Sequence, residues 1–122
     1  MSFNDVLRRF KILSGLEGEK LSRYSFLCSD SITEMNSKLR FPEENLSDAQ
    51  KLRLSYAAGA LAFYRYCLYT SVSEPESFEA GEVRVTNRKN KAESAGRLFE
   101  EECKGISEIL KDSSFYFKGV KA

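Results

Sequence analysis

The chain has 122 residues, 42% hydrophobic and 30% charged, which excludes a disordered or low-complexity protein and suits one core rather than two. Nineteen basic residues face eighteen acidic ones, so the net charge of +1 excludes a general pull toward nucleic acid or anionic membrane and sets little repulsion between copies. Histidine is absent, which removes the commonest general base, the Ser-His and Cys-His nucleophile pairs and the usual neutral metal ligand.

The first predicted helix runs from about Phe3 to Ser14, with Phe3, Val6, Leu7, Phe10 and Leu13 on one face and Gly15 placed to end it in a left-handed conformation. A second is predicted over about Glu17–Arg40. Its stripe is Leu21, Tyr24, Cys28, Ile32, Met35 and Leu39, and Phe41-Pro42 stops it. Ser47 and Gln50 form a capping box that opens a third helix reaching about Ser71. Leu52, Tyr56, Gly59, Phe63 and Cys67 make one apolar stripe on it, and Leu54, Leu61 and Leu68 another on the far side. A helix apolar on opposite faces is buried between neighbours, and Ala57-Ala58-Gly59-Ala60 lets one backbone approach closely. This is the predicted central helix.

An acidic stretch from Ser71 to Glu79, with Pro75, reads as a loop. Glu82-Val83-Arg84-Val85-Thr86 alternates polar and β-branched residues after Gly81, the pattern of a short half-exposed strand. A fourth helix is predicted from about Asn90 to Leu110. It would bury Ala92, Ala95, Phe99, Cys103, Ile106 and Leu110 and expose Glu93, Arg97, Glu100 and Lys104. The tail, Phe115-Tyr116-Phe117 with Val120, reads as a second short strand with aromatics on both faces. The expected fold is therefore mainly α, a four-helix bundle-like single domain over 1–122 with a short β element, and residues 113–122 available for partner contacts.

No residue set has catalytic, cofactor-binding or metal-binding spacing. Cys28, Cys67 and Cys103 lack the C-x-x-C pattern and fall on apolar stripes, where free cysteine behaves as a small core hydrophobe. The acidic groups Glu43-Glu44, Glu74/Glu76/Glu79 and Glu100-Glu101-Glu102 read as solvated charge, and Gly15-Leu16-Glu17-Gly18 lacks the lysine of a phosphate loop. Arg65, between Tyr64 and Tyr66, is either an interface arginine stacked on aromatics or half of a local ion pair. Arg84, Arg88, Lys89 and Lys91 put four positive charges within eight residues, read either as a solvated turn or as an electropositive contact for nucleic acid backbone or an acidic partner. Met1-Ser2-Phe3-Asn4-Asp5 leads directly into an amphipathic pattern and no apolar run reaches the roughly 20 residues of a membrane span, so a cytosolic protein without a signal peptide is expected.

A central helix carrying Ala57-Ala58-Gly59-Ala60-Leu61-Ala62-Phe63-Tyr64, then Gly81-Glu82-Val83-Arg84-Val85, a charged amphipathic helix and a C-terminal Phe-x-Phe: this order resembles the head–tail connector, or head-completion, proteins of tailed bacteriophages and prophages. The resemblance is one of layout over Leu46–Val120. It implies a non-enzymatic assembly protein without cofactors, present in the bacterial host cytoplasm and then in the virion neck. Such a protein forms a homo-oligomeric ring that meets the portal and a tail or stopper protein. It further implies that Val83, Val85, Phe115, Tyr116, Phe117 and Val120 form subunit or partner contacts, and that Arg84 and Arg88 face packaged DNA. The alternative is a small helical regulator or DNA-binding module using the basic group 84–91.

Overall fold

Helix α1 spans Phe3–Ser14, the predicted bounds, and buries Val6 and Phe10. Gly15 ends it at φ 75°, its N–H donating to the Lys11 carbonyl at 2.8 Å. The computed structural model describes residues 1–73 and 81–111.

The single helix predicted over 17–40 is two, α2 (Gly18–Tyr24) and α3 (Phe26–Ser37). Ser25 separates them without leaving the right-handed region. Its N–H and its hydroxyl both donate to the Ser22 carbonyl, at 3.3 and 2.9 Å, so a side chain competes with the backbone and tightens one turn. The apolar stripe still works across the break, because Tyr24, Cys28, Met35 and Leu39 are buried.

Helix α4 covers Asp48–Ser73, two residues beyond its predicted end. The capping box forms in full: Gln50 N–H donates to Ser47 Oγ at 3.1 Å, and Ser47 N–H to Gln50 Oε1 at 3.0 Å. α4 packs against α1, α3 and α5, the central position expected of it. Leu54, Ala57, Ala58, Ala60, Leu61, Ala62, Phe63 and Cys67 are buried. The close approach is made by α1, since a Cβ added at Gly59 would lie 2.7 Å from Arg9 Cβ. Leu52 and Leu68, predicted as stripe residues, are exposed instead.

Helix α5 spans Gly81–Lys104, and a 3-10 turn follows at Ser107–Ile109. Ala92, Ala95, Phe99 and Cys103 form its buried face as read from sequence; Ile106 and Leu110 are also buried, but the helix predicted to reach Leu110 ends at Lys104, so they lie beyond it. The strand predicted at Glu82–Thr86 is corrected here, because those residues are the first turns of α5. Two valines give only a weak β preference, and five alternating residues are too few to outweigh continuity with a 24-residue helix. The expected C-terminal strand, Phe115–Val120, lies outside the described residues. Among the described residues the one β feature is an isolated antiparallel bridge, Leu39–Leu110. Arg40 N–H donates to the Ile109 carbonyl and Lys111 N–H to the Lys38 carbonyl, both at 2.8 Å, tying the end of α3 to the segment after α5. No described helix is long and apolar enough to cross a membrane.

Candidate functional site

Among the described residues, the cysteines, Arg65 and two of the acidic clusters have structural roles; Glu74, Glu76 and Glu79 lie outside the described residues. The three thiols are buried, and burial pushes Cys28 and Cys103 up to about 12 and Cys67 to about 11, far from a reactive thiolate. Among the described residues no cluster of three or more Cys, Asp or Glu could hold a metal ion. Arg65 resolves as an ion pair, bridging from α4 to Glu34 on α3, where Lys38 Nζ also sits 3.0 Å from the carboxylate. Partial burial alone would raise the Glu34 carboxyl, but hydrogen bonds and charge from Arg65 and Lys38 hold it below its ordinary value. Of the acidic clusters, Glu102 lies 3.6 Å from Arg9, and Glu43 pairs with the Met1 amine. Arg9 also lies over the Tyr56 ring, 4.3 Å from its centroid, so this one side chain links α1 to both α4 and α5.

What remains is surface. An aromatic path leaves the core edge to face: Phe10 to Tyr66 at 6.0 Å, Tyr66 to Tyr24 at 4.9 Å, Tyr24 to Tyr69 at 5.8 Å and Tyr69 to Phe26 at 6.4 Å. It begins at fully buried Phe10 and ends at Tyr69 and Phe26, each 48% exposed. Near the start of α4 lies a second apolar patch, Ile12 at 65% and Leu52 at 50% exposure, which line one small cleft with Arg8 and Tyr56. Leu52 and Tyr69 are seventeen residues apart on α4, or roughly 25 Å at the helical rise. The two patches therefore sit at opposite ends of the central helix.

A third feature is an open groove of about 500 Å³ between α4 and α5. Tyr64, Leu68, Ala92 and Gly96 line it together with the charged side chains of Glu93, Arg97 and Glu100.

Of the predicted contact residues, only the backbone of two is described. Val83 and Val85 stand on α5, so they offer no free strand edge. Phe115, Tyr116, Phe117 and Val120 fall outside the described residues. The basic group moves from a strand and turn to helix: 84, 88 and 91 are spaced four and three apart on α5, with Lys89 between, and Lys91 is exposed.

Sequence reading missed Ile12, Phe26 and Tyr69. Each is a large apolar or aromatic residue off its helix's buried stripe, and that mismatch was the available signal. Neither a family model, nor a curated protein, nor a solved structure matches this chain.

Proposed function

We propose that the chain is a non-enzymatic assembly protein, a head–tail connector of a phage or prophage that works through contacts between copies and with a portal and tail component. The observation that carries this reading is the pair of exposed apolar patches at opposite ends of α4, Phe26/Tyr69 and Ile12/Leu52. A ring needs heterologous contacts, in which one patch meets a different patch on the next copy.

Leu52→Asp and Tyr69→Asp test it. Each variant alone loses self-association, whereas a mixture of the two still pairs through the one intact junction between them. Helix content stays near that of the parent, because both side chains are about half exposed. If both variants assemble as the parent does, or if the mixture behaves like either alone, the two-patch reading fails.

The second reading, a helical module that binds DNA, gains from the helical register of 84, 88 and 91. A basic row at that spacing follows a phosphate backbone better than four charges scattered through a turn. It predicts DNA binding that weakens steeply with salt and is reduced by Arg88→Gln. DNA indifference together with large oligomers favours the connector.

A further inference from the structure

We infer that a second copy of this chain seats on the Ile12/Leu52 patch in one register. Ile12 of one copy lies against Phe26 of the next, and the Arg8 guanidinium against the Asp30 carboxylate, with α1 antiparallel to α3 across the junction. This rests on the assembly reading above and specifies its contact.

Two exposed helix faces carry it. On α1, Arg8 and Ile12 stand four residues apart and share one stripe, and both are open, Ile12 at 65% and the Arg8 side chain at 72%. On α3, Phe26 and Asp30 have the same spacing and are likewise exposed. Each patch is thus an apolar side chain with one charge a turn away, about 6 Å along the axis, and the two charges are opposite. Leu52, beside Ile12 in the same cleft, and Tyr69, 6.4 Å from Phe26, widen the apolar half of each. The patches cannot close on each other within one chain, because Leu52 and Tyr69 lie about 25 Å apart along α4.

The order of charge and apolar residue sets the direction. The acid follows Phe26 along α3, whereas the base precedes Ile12 along α1. Antiparallel helices bring both pairs level at once. In a parallel arrangement with Ile12 still on Phe26, Arg8 would stand near Ser22 and the exposed Arg23. Like charges at a contact cost affinity, so that orientation is disfavoured.

Arg8 is available for the contact. Its neighbour Asp5 lies 3.6 Å away, longer than a hydrogen bond, and that side chain is 48% exposed. Such a pair is worth little in water and yields to a carboxylate brought in by another copy. Apolar surface then closes around Arg8 and Asp30 and strengthens their attraction by excluding water. The apolar half supplies the affinity, and the charges supply the register.

Charge exchange in the full chain, followed by light scattering at low salt, tests the register. Arg8→Asp and Asp30→Arg each set like charges against one another and should weaken association about tenfold. The double variant restores opposite signs with the positions exchanged, and its association should return to within about threefold of the parent. Added salt should narrow the gap between the single variants and the parent. Both side chains are exposed, so helix content stays at the parent's level. Parent-like association of either single variant, or a double variant no stronger than the singles, overturns the register. In that case a Leu52→Asp variant that still fails to associate leaves the two-patch reading standing. A parent chain that never associates refutes both.

Discussion

Replacing Gly59 by alanine tests the packing of the central helix. In an exposed helix interior the change stabilises by about 1 kcal/mol, since glycine is the poorer helix former. At this position the new methyl would sit 2.7 Å from Arg9 Cβ and 2.8 Å from Arg9 Cγ, with the Phe10 amide nitrogen at 3.4 Å. The first clashing atom is fixed to the backbone of α1, so rotating a flexible chain end does not relieve it. α1 has to back away from α4, loosening Phe10 and the Arg9 contacts to Tyr56 and Glu102. Overpacking of this kind costs about 1–3 kcal/mol, so Gly59→Ala is expected to be neutral to destabilised by about 2 kcal/mol after the helix gain.

Gly96→Ala is the matched control. There the methyl meets only the rim of the Tyr64 ring at 3.2 Å, and that ring borders an open groove and can yield. It should be neutral or up to about 1 kcal/mol more stable. Urea unfolding of the two variants beside the parent gives the comparison with the same change of residue type on each side. If Gly59→Ala proves more stable than the parent or than Gly96→Ala, α1 does not approach α4 as described.

Two further outcomes follow from the charges and thiols. Because Glu34 titrates below its ordinary value of 4.5, its contribution to stability is complete above that pH and is lost as pH falls through the lower folded value. Glu34→Gln should therefore unfold more easily than the parent at neutral pH, with the gap closing in acid; a gap independent of pH would contradict the Arg65–Glu34–Lys38 assignment. The three cysteines should resist a thiol-reactive dye until denaturant is added, since all are buried and their thiols are pushed up to about 11 or 12. Rapid labelling of even one in the folded protein would show that it is not a core group.

The α-helical framework was legible because its signals are local and redundant. The Ser47/Gln50 capping box, the left-handed Gly15 and the Ala92–Ala95–Phe99–Cys103 stripe each fix an element by chemistry within one or two turns. The break at Ser25 was not legible, since it turns on one hydroxyl sharing a carbonyl with the backbone. Gly81–Thr86 misled because two alternating valines look the same on a strand as at the start of a helix, and the longer helix decides. The surface features were legible only by subtraction. Ile12 and Phe26 are apolar residues off the buried stripe, but Leu52 and Leu68 sit on predicted stripes and are exposed because, among the described residues, no neighbouring helix covers them. Periodicity finds the apolar faces of a helix; it does not say which face finds a neighbour.

The measurement closest to the central claim is the solution mass of the intact chain, followed by light scattering across a wide range of concentration, alone and with a phage portal ring. Two apolar patches at opposite ends of α4 predict a mass that rises with concentration or on meeting the portal, and that Leu52→Asp holds at the monomer. A chain that stays monomeric under every one of these conditions, with both patches still open to water, would contradict the account.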